Sequence, residues 1–237
     1  MSVKEILFAL VAFLSNIVQS VTGFAGTVLA MPVSIRLVGY DTARPILNFI
    51  AVFICLFVVI FTFKSINWKK LLYLKIFVGI GFGLGFFIQK LSIDQNILLK
   101  IYGVIICIVA ILFFFIKNLK VPSYLHPPIL ILAGILHFLY TSGGPLVIIY
   151  ASSAFEDKDE FRSTLSFMWI ILNSIVLTTN LVSGQFTVHI WILCAVISGA
   201  SVASFFLGKL IAKKLNQEVF MKVTYVLLFI SGLSAIF

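Results

Sequence analysis

Two short stretches rich in glycine and hydroxyl residues interrupt otherwise apolar segments of the chain. The first is Thr22-Gly23-Phe24-Ala25-Gly26-Thr27, and the second is Thr141-Ser142-Gly143-Gly144-Pro145. Glycine lets a ligand approach the backbone, Thr27 is a candidate N-cap, and Pro145 is favoured at the first helical position. Each break is therefore predicted to precede a new helix, whose first N–H groups and partial positive charge favour an anion.

The residues in and beside the breaks form the predicted binding site. The candidates for contact with the anion are Gln19, Thr22, Gly23, Gly26, Thr27, His137, Thr141, Ser142, Gly143 and Gly144. His137 can change its charge near neutral pH, so it is also a candidate for coupling anion movement to a proton. Arg44 and Arg162 are predicted to draw anions inward, and anchoring at the membrane interface is the alternative role.

Other polar and small residues in the apolar segments have a structural interpretation. Asn16, Asn48, Asn173 and Asn180 are predicted to form hydrogen bonds between helices, which is the ordinary role of such residues in membranes. The four glycines at 79, 81, 83 and 85 have no hydroxyl or cap nearby, and we interpret them as helix-packing residues.

The composition shows where these segments must lie. Of the 237 residues 62% are hydrophobic and only 11% are charged, whereas a soluble domain carries about 25% charged residues. At about 20 residues per crossing, the chain allows eight to ten membrane segments and little else. The sequence thus predicts an all-α polytopic membrane protein. Its formal net charge of +9 is explained by cationic loops and not by nucleic-acid binding.

The chain consists of two copies of one unit of about 120 residues. The segment 93–100 aligns with 215–222 at an offset of 122, and both breaks and both arginines align at an offset of 118. The predicted division is a first repeat at 1–118, a linker at 119–127 with helix-breaking prolines, and a second repeat at 128–237.

Each repeat is predicted to hold one broken segment and three ordinary spans. The predicted segments are 6–21, 27–38, 45–63, 71–89 and 98–116 in the first repeat, and 128–140, 145–155, 163–182, 188–208 and 219–236 in the second. If each broken segment turns back as a hairpin, the 17 cations divide 12 to 5 between the membrane faces, whereas a single crossing divides them 10 to 7. The positive-inside rule favours the hairpin, which makes the repeats inverted relative to each other.

The chain lacks residues that several classes of membrane protein and enzyme need. All eight acidic residues fall in predicted loops or termini, so a carboxylate relay for cations is disfavoured. We find no Walker A loop, no zinc-protease motif and no metal-ligand spacing, and Cys55, Cys107 and Cys194 stand singly in apolar runs. The sequence therefore predicts neither an enzyme nor a cofactor.

The motifs resemble those of a known family. The segment 21–32 resembles the glycine-rich first motif of the sulfite exporter TauE/SafE family, and Ser142-Gly143-Gly144-Pro145 followed by Arg162 resembles the second. The resemblance implies a multi-pass permease of the prokaryotic plasma membrane that exports small sulfur-containing anions such as sulfite or organosulfonates. An anion channel and a membrane assembly partner without transport are the alternatives. A coupling proton or cation and a homodimer are compatible with this interpretation.

Overall fold

The computed structural model describes residues 1–22, 25–91, 93–116, 121–155, 157–214 and 217–237. Within these residues the chain forms ten α-helices and no strand. In chain order they are α1 (Val3–Thr22), α2 (Gly26–Val38), α3 (Tyr40–Thr62), α4 (Trp68–Lys90), α5 (Gln95–Phe115), α6 (His126–Tyr140), α7 (Gly144–Ala154), α8 (Lys158–Val182), α9 (Val188–Lys214) and α10 (Gln217–Ile236). The ten predicted segments are thereby confirmed as helices, with both breaks where the glycine-rich stretches stand.

Three predicted details of the helix ends are wrong. The N-cap of α2 is Ala25, and Thr27 lies inside the helix. Pro145 occupies the second helical position, because α7 already begins at Gly144. Pro127 does not break a helix but lies with Pro128 in the first turn of α6, where its missing N–H would have no intrahelical partner anyway.

Seven of the described helices are long and apolar enough to cross a membrane. The segment Gly26–Val38 and the described apolar part of α10, Met221–Ile236, are shorter. Many large apolar side chains face outward, including Phe61, Phe87 and Phe115, which are 69%, 64% and 75% exposed. An outer surface of this kind suits contact with lipid, so the chain is a polytopic α-helical membrane protein.

The helix contacts repeat between the two halves of the chain. Helices α1 to α5 correspond in order to α6 to α10, and α1 packs on α9 as α6 packs on α4. In the same way α10 contacts α2 as α5 contacts α7, and α3 contacts α9 as α8 contacts α4. The two central contacts, α3 with α8 and α5 with α10, each join a helix to its own counterpart.

Both of these central pairs run antiparallel. Between α3 and α8, Arg44 hydrogen-bonds Asn180 at 3.1 Å and Asn48 hydrogen-bonds Asn173 at 3.0 Å. Later residues of α3 thus lie beside earlier residues of α8. These contacts also confirm the predicted interhelical role of the three asparagines. The fourth, Asn16 on α1, donates to the Ser201 hydroxyl on α9 at 2.9 Å.

The helices α5 and α10 are also antiparallel. The Cys107 thiol lies 3.6 Å from the Phe229 carbonyl oxygen, and the rings of Phe113 and Tyr225 stack with centroids 5.5 Å apart. Cys107 and Phe229 are counterparts at the offset of 122 that the sequence repeat shows for this part of the chain. Counterpart helices thus run in opposite directions in both central pairs.

The glycines of α4 divide into two classes. A Cβ atom added to Gly81 would overlap the Ile131 backbone of α6, and one added to Gly85 would lie 2.8 Å from a side-chain atom of α6. By contrast, a Cβ atom at Gly79 or Gly83 would have no neighbour within 4 Å. The packing role predicted for all four glycines is therefore confirmed at Gly81 and Gly85 and wrong at Gly79 and Gly83, which point away from α6.

Candidate functional site

A small cavity lies between the two breaks. It is lined by Gln19, Thr27, Ala51, Cys55, His137, Thr141, Gly144, Trp169 and Asn173. Five of these residues were predicted from the sequence to bind an anion, and they come from both halves of the chain. The space open to the centre of a water molecule is about 20 Å³, which is enough for about one water molecule.

Six of the nine lining residues form counterpart pairs. Gln19 pairs with His137, Ala51 with Trp169 and Cys55 with Asn173, each at an offset of 118. This is the offset of the two breaks themselves. The two halves of the chain therefore contribute counterpart positions to the cavity wall.

At the first break, a side chain of the preceding helix α1 caps the start of α2. The Gly26 N–H at the start of α2 donates to the Gln19 side-chain oxygen on α1 at 2.7 Å. A Cβ atom added to Gly26 would lie 2.7 Å from the Gln19 Cβ, so only glycine leaves room for this contact. Thr22 accepts a hydrogen bond from the Ala25 N–H at 3.2 Å and donates to the Val18 carbonyl. Gly23, also predicted to bind the anion, lies outside the described residues.

The second break is built on a strained residue. Thr141 has φ of 55° and ψ of 31°, and it is the one non-glycine residue with positive φ in the described chain. A β-branched residue is rarely found in this left-handed conformation. Its N–H donates to the His137 carbonyl at 2.7 Å and ends α6. Its hydroxyl is buried and makes no hydrogen bond within the described residues.

Ser142 and Gly143 complete the second break. The Ser142 hydroxyl donates to the Tyr140 carbonyl at 2.7 Å, so it satisfies an acceptor at the end of α6. A Cβ atom added to Gly143 would overlap the Ala133 carbonyl and lie 3.0 Å from the His137 Cβ. Gly143 is thus needed for the close return of the chain against α6. Neither residue is part of the cavity lining.

A hydrogen bond joins the two breaks directly. The Thr27 hydroxyl in the first turn of α2 donates to the Thr141 carbonyl oxygen at 2.8 Å. The two residues are 114 positions apart in sequence, and both line the cavity. The structure therefore brings the two predicted half-sites into contact.

Both helix starts present N–H groups that have no partner within their own helix. The first intrahelical bond of α2 runs from the Leu29 N–H to Ala25, and that of α7 from the Val147 N–H to Gly143. The preceding N–H groups of each helix have no such acceptor, as at every helix start. A ligand oxygen between the breaks would meet these groups and the positive ends of both helix dipoles.

His137 projects from α6 into an aromatic environment. Its ring stacks on Trp169 with centroids 4.4 Å apart and an interplanar angle of 25°, and it is 3% exposed. The Asn173 carboxamide lies beside the ring but accepts from Asn48. Neither ring nitrogen makes a well-formed hydrogen bond within the described part of the chain. The imidazole is thus a buried polar group at the wall of the cavity with hydrogen-bonding capacity to spare.

The two arginines contact the ends of the broken helices. Arg44 donates to the Phe138 carbonyl oxygen in the last turn of α6 at 2.8 Å, and Arg162 donates to the Ser20 carbonyl oxygen in the last turn of α1 at 3.0 Å. Arg44 is only 3% exposed, so it is not anchored at the membrane interface. Neither arginine lines the cavity, and the positive charge of each lies at the negative end of a helix dipole.

Ala51, Cys55 and Trp169 were not predicted as site residues. They lie one or two turns along α3 and α8 from residues that the sequence did indicate, and single apolar residues give no chemical signal. The offset of 118 could have found them, since Ala51 and Cys55 align with Trp169 and Asn173. Asn173 was predicted only as a hydrogen-bonding residue, and the structure adds the cavity to its role.

The family comparison covers nearly the whole chain. The model of the family described as sulfite exporter TauE/SafE matches residues 8–235, which include both breaks and every residue that lines the cavity. The resemblance first seen in the two short motifs is thereby confirmed. No curated protein and no solved structure matches the chain.

Proposed function

Because the chain belongs to the sulfite exporter TauE/SafE family, we propose that it is a permease for a small oxyanion such as sulfite or an organosulfonate, working in the plasma membrane. The observation that carries this proposal is the cavity between the two breaks, lined by counterpart residues of both halves. A permease that binds its substrate near the membrane midplane between two repeats has a site of this kind.

The two halves of the chain are proposed to be inverted repeats. The contacts between helices exchange when the halves are exchanged, and the counterpart pairs α3 with α8 and α5 with α10 are antiparallel. Repeats related by an axis along the membrane normal would make counterpart helices parallel, so the antiparallel crossing supports an axis in the membrane plane. Under this proposal both termini face outward, and the loop at 64–75 faces the cytoplasm.

The anion is proposed to bind to backbone N–H groups and hydroxyls at the breaks. The residues that build the site in this proposal are Gln19, Thr22, Gly23, Gly26, Thr27, His137, Thr141, Ser142, Gly143 and Gly144. Of these, Gln19, Thr27, His137, Thr141 and Gly144 line the cavity. Ser142, Gly143 and Thr22 support the fold of the breaks through the contacts described above. Arg44 and Arg162 add positive potential without direct contact.

Transport is proposed to occur by alternating access. The cavity accommodates about one water molecule, and an oxyanion with four heavy atoms needs more room. The walls from the two repeats must therefore separate for the anion to enter from one face and leave at the other. The hydrogen bond between Thr27 and Thr141 joins the two halves at this point, so it is expected to change during the cycle.

The proposal is tested with the full chain in liposomes. Vesicles loaded with unlabelled sulfite should accelerate uptake of labelled sulfite, since a carrier exchanges its substrate across the membrane. Gly144→Leu should abolish this exchange, because the side chain would fill the cavity. Gly199→Leu is the matched control, since a Cβ atom there has no neighbour within 4 Å. Flux without acceleration by counterflow would identify a channel, and no flux of any small anion would favour an assembly partner.

A further inference from the structure

The two breaks differ in how their polar groups are satisfied. At the first break the Gly26 N–H already has the Gln19 oxygen as its partner at 2.7 Å. An amide oxygen therefore stands where an oxyanion oxygen would be bound. Gly144 is the counterpart of Gly26, and His137 is the counterpart of Gln19. Neither ring nitrogen of His137 makes a well-formed hydrogen bond with the residues that the structure describes, so His137 does not cap α7 as Gln19 caps α2.

The second break has donors without partners. The Thr141 hydroxyl and both ring nitrogens of His137 are buried, line the cavity and make no well-formed hydrogen bond within the described residues. Thr141 and His137 are 2% and 3% exposed. Buried polar atoms in native proteins almost always have a partner, and an unpaired one destabilises the fold. Two such residues at one break, on the wall of one cavity, indicate that a water molecule or a ligand completes them.

The cavity offers hydrogen bonds but little charge. The lining holds no Lys, Arg, Asp or Glu side chain, and its two titratable residues are His137 and Cys55. The nearby guanidinium groups of Arg44 and Arg162 donate to helix carbonyls and do not reach the lining. The cost of removing an ion from water rises with the square of its charge, so a site of neutral donors can compensate a single charge much better than a double charge.

We propose that the site selects singly charged oxyanions, hydrogensulfite or a short alkanesulfonate, over doubly charged ones such as sulfate, and that His137 and Thr141 bind their oxygen atoms at the second break. This inference rests on the proposed transport function and specifies its substrate. In it, His137 acts as a neutral hydrogen-bond donor, and its other nitrogen can accept from the hydroxyl of hydrogensulfite.

The first test compares two solutes of nearly equal size. Methanesulfonate and sulfate are both tetrahedral around sulfur, but methanesulfonate carries one negative charge and sulfate carries two. In liposomes containing the full chain, we expect uptake of methanesulfonate to exceed that of sulfate by about tenfold or more. Equal uptake of both would overturn the charge selection and leave the transport function standing. Uptake of neither, together with no sulfite exchange, would instead refute the transport function.

The second test uses pH. Sulfite changes from the singly to the doubly charged form as pH rises through neutrality, whereas methanesulfonate keeps one charge throughout. We expect sulfite transport to fall with the hydrogensulfite fraction while methanesulfonate transport stays constant. The methanesulfonate arm controls for titration of His137, Cys55 or any other group of the protein. A parallel fall for methanesulfonate would assign the pH dependence to the protein, with His137 as the candidate coupling group, and would overturn the proposal.

The third test removes the donors. His137→Leu should raise the KM for methanesulfonate about tenfold, since it deletes a buried hydrogen bond to an anion. His137→Gln should restore much of the affinity because it retains a donor. His126→Leu is the matched control on the same helix, and its ring lies outside the cavity lining. Similar KM values for His137→Leu and His126→Leu in folded protein would show that His137 does not bind the anion.

Discussion

The Arg44 guanidinium lies 2.8 Å from the Phe138 carbonyl oxygen, so an arginine of the first repeat caps the broken helix of the second. Arg162 makes the reverse contact with Ser20 at 3.0 Å. The donors are 118 residues apart, and so are the acceptors. Each half of the chain therefore stabilises the interrupted helix of the other half, and neither break is complete within its own repeat.

These contacts predict unequal effects of two matched substitutions. Arg44→Gln should lower the free energy of unfolding by about 2–4 kcal/mol, because the fully buried guanidinium also donates to Asn180 at 3.1 Å. Arg162→Gln should lower it by about 1–2 kcal/mol, since Arg162 is half-buried and has one described partner. Thermal unfolding in detergent measures both. Equal losses, or a larger loss for Arg162→Gln, would contradict this ranking.

Substitution of Thr141 should reduce transport without lowering the stability of the protein. Thr141→Gly removes a left-handed β-branched residue, whose conformation costs about 1–2 kcal/mol, and adds the backbone entropy of glycine, about 0.5–1 kcal/mol. The melting temperature should therefore stay the same or rise slightly. Transport should fall about tenfold because the hydroxyl at the cavity is lost.

Thr141→Asn provides the control for that experiment. Asparagine tolerates the left-handed conformation and keeps a polar side chain, so transport should exceed that of Thr141→Gly. If Thr141→Gly transports at the wild-type rate, the hydroxyl does not contact the anion.

Alanine substitutions at two glycines of α4, two residues apart, should have opposite effects on the stability of the protein. Gly81→Ala should destabilise the protein by about 1–3 kcal/mol, because its Cβ would overlap the Ile131 backbone and force α4 from α6. Gly83→Ala should stabilise it by about 0.5–1 kcal/mol, since its Cβ meets open space and alanine favours the helix. Thermal unfolding of the two variants side by side measures the difference. Similar melting temperatures would show that α4 and α6 do not approach so closely.

The proposed topology predicts a pattern of chemical labelling. Ser2→Cys and Phe237→Cys should react with a membrane-impermeant maleimide added outside intact cells, and Lys69→Cys should react only after the membrane is opened. The native Cys55, Cys107 and Cys194 are buried and should give little background. Labelling of Lys69→Cys on the same face as the termini would contradict the hairpin at the breaks, because a single crossing puts the termini and the loop at 64–75 on one face. Labelling of Lys69→Cys from outside while both termini are protected would reverse the assigned orientation.

The sequence alone predicted all ten helices, the two breaks and most of the cavity lining. These features follow from local causes, because apolar runs long enough for a membrane form helices and clusters of glycine and proline interrupt them. The repeat offset of 118 residues also shows, from the sequence alone, that Gln19 and His137 occupy equivalent positions. The family followed from the same two motifs, and its match extends over residues 8–235.

Only the tertiary structure showed which polar groups already have partners. The sequence gives Gln19 and His137 the same place beside a break, but Gln19 bonds the Gly26 N–H whereas His137 stacks on Trp169. Likewise the sequence predicts that Arg44 attracts anions or anchors the interface, and only the structure shows that its buried guanidinium donates to the Phe138 carbonyl oxygen. Partner choice depends on distances between residues far apart in the chain, so it is decided when the helices pack. A sequence repeat shows which positions of the two halves are equivalent, whereas helix packing decides which of the polar groups at those positions remain free to bind a ligand.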